Sequence, residues 1–203
     1  MKDLIQIIQV LEENEIKIVN DYIDTLSFSK VGTFDSKPGK LINNSFRSNL
    51  GSVLDENHEA TKIIHNKFNK CLLDYRERLI KVNCMFQGYP VPGGYNTSSE
   101  REGIQVLEYF PGQEYIFHHD IANNVNQKEH HRIISIVLYL NKEFEGGGTE
   151  FPHQIYKPSP GYGLFFPSNW CFPHSGQKVI SGKKRVIVTW YYVNEISENS
   201  KLL

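Results

Sequence analysis

Cysteine is scarce in this sequence. Cys71, Cys84 and Cys171 are odd in number and show no Cys-x-x-Cys spacing, which argues against a disulfide framework or a zinc knuckle and predicts reduced thiols. Excess charge of either sign is missing too. Lys and Arg number 22 against 23 Asp and Glu, so no broad basic field exists to hold a phosphate backbone, and nucleic acid is disfavoured as a partner. No apolar run approaches the ~20 residues a membrane helix needs. The opening MKDLIQIIQV, followed soon by Glu12 and Glu13, lacks the basic start, long apolar stretch and small-residue cleavage site of a secretory signal. These absences predict a cytoplasmic protein with no membrane partner. Internal repeats and low-complexity segments are absent as well.

What is present suits a folded domain. The chain has 203 residues, 39% of them hydrophobic and 22% charged, enough to bury a core without covalent staples. The expected organisation is one domain over 1–203, with a helical and loop support region over 1–84 and a β core over 104–193. Leu4 to Leu11 reads as a first strand. Ile16, Val19, Ile23 and Leu26 recur at helical steps, and Ile64, Phe68, Cys71, Leu72, Tyr75 and Leu79 do so over a longer helix from about Glu56 to Ile80. Val31 to Val53 reads as loop with a short strand. Gln87 to Gly103, rich in Gly, Pro and Ser, reads as a long loop that either covers a site or is a solvated connection. Beyond it, Ile104 to Phe110, Tyr115 to His118, Arg132 to Leu140, Tyr162 to Phe166 and Val186 to Val193 are short β-branched or aromatic runs separated by turn formers. They predict a sandwich or barrel, and Gly147-Gly148 marks a tight bend.

Among eight histidines, spacing matters more than number. His118 and Asp120 lie two apart after a strand-like run, so they project to one side while His119 faces away. Alone, such a pair is more often a solvated or hydrogen-bonded surface motif. With a third ligand from a distant strand it becomes the 2-His-1-carboxylate face of non-haem Fe(II) oxygenases. His174, after an aromatic strand, is the candidate. His130 and His131 sit in a polar loop and His153 in a turn, where solvation is expected. Ten residues beyond His174, Lys184 opens the last strand. Its parity with Val186, Val188 and Trp190 points it into a half-apolar pocket, where it could meet the far carboxylate of 2-oxoglutarate. Arg185, of opposite parity, is expected to face outward. An exposed basic turn over Lys183, Lys184 and Arg185 is the plainer reading.

From about Val106 to Tyr192 the sequence resembles the catalytic core of prolyl 4-hydroxylases of the collagen and hypoxia-sensing types. The shared features are Tyr109 ahead of Gly112 and Tyr115, His118-x-Asp120, Arg132 opening RIISIVLYLN, Gly147-Gly148-Thr149-Glu150-Phe151, the strand Gly163 to Phe166, then His174, Lys184 and Trp190. The resemblance implies a mainly β double-stranded β-helix (jelly roll) with flanking helices and iron at one mouth. It implies Fe(II) held by His118, Asp120 and His174, with 2-oxoglutarate and O2 as cosubstrates and ascorbate (vitamin C) as a reductant. It also implies that Tyr139 bonds the 2-oxoglutarate carboxylate beside Lys184, and that Tyr109 lines the site. Arg132 and Trp190 are candidate substrate contacts. Lysine at position 184 is like the collagen type, whereas LYLNK over Leu138 to Lys142 is closer to the hypoxia type, so the subfamily stays open.

The expected reaction hydroxylates an unactivated C–H, giving succinate and CO2, with a prolyl residue of a peptide or protein as the leading substrate. Hydroxylation of a free amino acid or a nucleobase is the second enzymatic reading. A non-enzymatic jelly-roll binding module is the third.

Overall fold

The computed structural model describes residues 2–34, 40–41, 45–87, 99–122 and 126–193. The core of the reading for Gln87 to Gly103 falls on 88–98, outside the described residues. After it, Ser99–Arg101 is a strand paired antiparallel with the last strand.

Two antiparallel sheets make the β framework. In the larger, Gln6–Gln9, Tyr162–Pro167, Arg132–Tyr139, Lys184–Val193, Gln105–Tyr109, Leu50–Val53 and Ser29–Lys30 lie side by side, and Ser99–Arg101 also pairs with Lys184–Val193. The smaller sheet runs Gln154–Tyr156, Thr149–Phe151, His174–Gly176, Tyr115–His118. Strands from the first 84 residues thus extend the sheet as well as supporting it. The arrangement is the expected double-stranded β-helix.

Period-2 alternation explains how the large sheet is covered on both faces. Leu164, Phe166, Val186, Val188 and Trp190 join Tyr109, Tyr139, Phe151 and Phe172 in one buried cluster between the sheets. Ile134, Ile136, Leu138, Phe165, Ile187 and Tyr191 face the other way, into a second cluster with the helices. A strand buried on both faces reads as a continuous apolar run, which is why RIISIVLY and VIVTWYYV are so hydrophobic.

The helices form for local reasons. Glu59–Val82 buries Ala60, Ile64, Phe68, Cys71, Leu72, Tyr75 and Leu79, spaced three and four apart, and the His58 side chain accepts from Ala60 N at its start. Glu13–Ile23 starts with a capping box between Glu12 and Glu15 and buries Val19 and Ile23. Among the described residues no helix is long and apolar enough to cross a membrane. The three cysteines are free thiols.

The tight bend expected at Gly147-Gly148 lies one residue earlier. Gly146 and Gly147 take φ of 68° and 65°, the left-handed region open to glycine, and turn Phe144–Gly146 into Thr149–Phe151.

Arg185 departs from expectation. It points to the opposite face from Lys184, as parity requires, but that face is covered by Glu13–Ile23, so Arg185 is only 6% exposed. Its guanidinium donates to Glu108 (2.6 and 2.8 Å), to Asp24 at the helix end (2.6 Å) and to Asn20 (2.9 Å). The exposed basic turn is therefore not formed there. Arg185 anchors the first helix to the sheet by a buried ion pair. Arg185→Ala would leave Glu108 buried with only Lys183 at its rim, and about 3–5 kcal/mol of unfolding free energy should be lost, measurable by urea denaturation.

Candidate metal centre

His118 ends the strand Tyr115–His118, Asp120 follows in a bend, and His174 opens the paired strand His174–Gly176. His118 and His174 are register partners across these two strands. One potential ligand atom from each of the three residues lies within 4.8 Å of the others. Asp120 Oδ1 is 3.5 Å from His118 Nε2, and Oδ2 is 3.6 Å from His174 Nε2.

The imidazoles are oriented from behind. His118 Nδ1 lies 2.8 Å from Ile116 O and His174 Nδ1 lies 3.1 Å from Phe172 O. A nitrogen facing a carbonyl must carry the proton, which leaves each Nε2 as a bare lone pair. Two ring nitrogens and a carboxylate converge. Burial pushes His174 down to about 4, so near neutral pH it is uncharged. Burial opposes the charge of Asp120, but the His174 and His118 rings and Arg132 outweigh it and hold the carboxyl well below the usual carboxylate range. This donor set fits a divalent cation, and its 2-His-1-carboxylate composition suits Fe(II).

Neighbouring groups lock the centre. Tyr115 stacks on His118 at 3.6 Å and 15°. Arg47 lies 4.7 Å from the Tyr115 ring centroid, and its Nε donates to Asn49. Arg132 donates to both Glu102 oxygens at 2.6 and 2.7 Å and to Asp120 O at 3.0 Å, with its guanidinium 3.8 Å over Trp190. Every guanidinium nitrogen of Arg132 thus has a protein partner.

A cavity of about 630 Å³ opens on the cluster, and Tyr109, Lys184, Trp190, Arg132, Thr149 and Arg47 line it too. Lys184 is 2% exposed. Its Nζ lies 4.9 Å from the Tyr109 ring and 5.1 Å from the Tyr139 ring, and among the described residues no carboxylate pairs with it. Tyr139 Oη shares a 2.8 Å hydrogen bond with Thr149 Oγ1. Tyr109, Lys184, Arg132 and Trp190 line the same space, whereas the implied ligand contact Tyr139 is fully buried and stands behind Thr149 and Lys184. His119 also lines it rather than facing wholly away, and its Nδ1 is buried without a hydrogen-bond partner among the described residues. His130 Nδ1 contacts Ala122 O, and His153 is exposed on its turn. Neither joins the cluster.

Sequence reasoning missed Arg47, Glu102, Ser135 and Ser168. Ser135 alone left a signal, as a hydroxyl at an inward-facing position of an otherwise apolar strand.

The cluster at one mouth of the jelly roll has the 2-His-1-carboxylate composition of non-haem Fe(II) oxygenases. Residues 104–192 match the family model described as the 2OG-Fe(II) oxygenase superfamily, and over this segment the chain is prolyl 4-hydroxylase-like. A protein of Acanthamoeba polyphaga mimivirus, provisionally named a prolyl 4-hydroxylase, is 35% identical over 113 residues, 47% of each chain. The chain spans 37–57% of the length of the curated relatives it matches. The structure of a viral collagen prolyl hydroxylase from Paramecium Bursaria Chlorella virus-1, solved as a 2OG complex, aligns with TM-score 0.65 and 20% identity over 95% of this chain and 97% of that one. A Trichoplax adhaerens prolyl hydroxylase, bound to a hypoxia inducible factor oxygen degradation domain peptide fragment, aligns with TM-score 0.66 and 18% identity over 94% and 84%. At these identities the structural likeness speaks to the fold alone.

Removing His174 deletes a lone pair that no neighbour can replace. His174→Ala should cut Mn(II) affinity by more than the ~10–100-fold that loss of an outer-shell partner costs. Titration followed by electron paramagnetic resonance measures this, and wild-type affinity in the variant would move the third ligand elsewhere.

Proposed function

We propose that this protein is an Fe(II)- and 2-oxoglutarate-dependent dioxygenase that hydroxylates a prolyl residue in a peptide or protein, with His118, Asp120 and His174 as the metal ligands. The observation carrying this reading is one cavity that holds both the three-acceptor cluster and Lys184, a buried cation without a carboxylate partner among the described residues. A ligand that chelates a metal at one end and ends in a carboxylate at the other matches both halves of that space.

When bound, the iron would supply the oxidising power for C–H hydroxylation coupled to decarboxylation of 2-oxoglutarate to succinate and CO2. The chain's own residues do the rest. Lys184 receives the far carboxylate, while Tyr109 and the Tyr139–Thr149 hydroxyl pair shape its surroundings. Val186, Val188 and Trp190 wall the cavity with apolar surface and exclude water. Arg132 fixes the Asp120 backbone, and with Trp190 it presents a stacked face toward substrate. Arg47 adds a guanidinium, 9% exposed, on the same wall.

The prolyl substrate rests on the names of the relatives and on the open mouth of the cavity. Ascorbate as reductant and a cytoplasmic setting are parts of the same proposal, the latter supported by the three free thiols. Succinate release should rise severalfold with proline-rich peptides and Fe(II) over that with free amino acids. The reverse order would favour a small-molecule hydroxylase, and no turnover with any substrate or metal would leave only a binding module.

Lys184 also sets an expected pH dependence. Burial, reinforced by Lys157, pushes its ammonium down to about 7. The Tyr109 and Tyr139 rings face it, and Asp120, Glu102 and Glu129 are acids of the same cavity. Only the charged form can pair with the 2-oxoglutarate carboxylate, and the ligand-free protein loses that charge as pH rises through 7. Binding then takes up a proton. The affinity for 2-oxoglutarate, measured with Mn(II) in place of iron, should weaken about 25-fold from about pH 6.5 to about pH 8.5. Lys184→Arg, charged throughout, should flatten the curve; a flat wild-type curve would contradict the assignment.

A further inference from the structure

The strand Arg132–Tyr139 turns Ser135, Val137 and Tyr139 to the inside of the jelly roll, opposite Ile134, Ile136 and Leu138. A hydroxyl at such a position is costly unless it is bonded. Ser135, only 1% exposed, has two partners. Its Oγ lies 2.6 Å from Asp120 Oδ2 and 2.8 Å from Ser168 Oγ. Ser168 is equally buried and sits just after Tyr162–Pro167.

The proton positions follow from valence. Asp120 is ionised and can only accept, so the single Ser135 proton points at Oδ2. Ser135 then has only lone pairs left for its other contact, and Ser168 must donate to it. The chain of hydroxyls runs one way, Ser168 to Ser135 to Asp120, and each bond polarises the next. Ser168 also holds the Asp120 main chain, accepting from Asp120 N at 3.2 Å, while Ser168 N donates to Ile133 O. One small loop thus grips Asp120 by its backbone and its carboxylate together.

Among the described residues, Ser135 is the one hydrogen-bond donor within 3 Å of that carboxylate. The other near atoms are His118 Nε2 and His174 Nε2, farther off at 3.5 and 3.6 Å. We infer that the Ser168–Ser135 hydroxyl relay is the positioning device that sets the Asp120 carboxylate for metal capture, making Ser135 and Ser168 determinants of metal affinity. This rests on the reading that His118, Asp120 and His174 bind a divalent metal, and is independent of the organic substrate.

The test uses the whole chain, stripped of metal and titrated with Mn(II), and then with Co(II) for its visible spectrum. Ser135→Ala should weaken Mn(II) binding about tenfold or more, the range for loss of an outer-shell partner, and should alter the Co(II) bands. Ser135→Thr keeps the hydroxyl and should bind within about threefold of wild type with the wild-type spectrum. Ser168→Ala should weaken binding less than Ser135→Ala, because Ser135 can still donate. Thermal unfolding of each metal-free variant shows whether the fold is intact. Should Ser135→Ala fail to fold, Ser168→Ala carries the test alone, and wild-type affinity there overturns the proposal. Wild-type affinity in Ser135→Ala, or failure of Ser135→Thr to restore it, also overturns it while leaving the metal site standing. A wild-type chain that takes up neither metal sinks both.

Discussion

Three acceptors face one another at the mouth of this fold, and the surrounding structure is arranged to keep them there. A carboxylate and two imidazole nitrogens within 4.8 Å can share one cation only if each is held in orientation beforehand. Backbone carbonyls hold the two rings from behind, Ser135 and Ser168 hold the carboxylate, and Arg132 holds the Asp120 main chain. The antiparallel pairing of Tyr115–His118 with His174–Gly176 brings the two histidines into register. Held this way, the three side chains present a donor set whose composition suits a divalent cation.

The second constraint is the burial of both faces of the large sheet. The inner face must stay apolar enough to exclude water yet admit Lys184 among aromatic rings. The outer face is sealed by two helices, and there the buried Arg185 is neutralised by Glu108 and Asp24. Adjacent basic residues on a single strand therefore have opposite fates. Lys184 lacks a protein carboxylate partner among the described residues and is free for a ligand, whereas Arg185 is consumed by the fold. The difference between them is a one-residue change of parity.

Much of this was legible in the sequence. The helices, the long strands and the HxD spacing depend on short-range periodicity, and the structure places them within a few residues of expectation. The short strands Phe144–Gly146, Gln154–Tyr156 and Val179–Gly182 were not legible, because three or four residues carry too little pattern. The site was legible only in part. His118 and Asp120 announce themselves by spacing, but Arg47 lies in a stretch that reads as loop, and Glu102 in one that reads as a connection. Ser168 has no local signature, since its role comes from touching residues 33 and 48 positions away.

By itself, the sequence determined which chemistries were available. It set the residue types, the alternation that assigns Lys184 and Arg185 to opposite faces, and the i, i+2 pair that can share a metal. Tertiary structure alone decided which distant histidine completes that pair, since proximity between residues 120 and 174 depends on strand pairing. It alone decided that the face carrying Arg185 would be covered, because a strand's parity says which side a residue takes and nothing about what packs there.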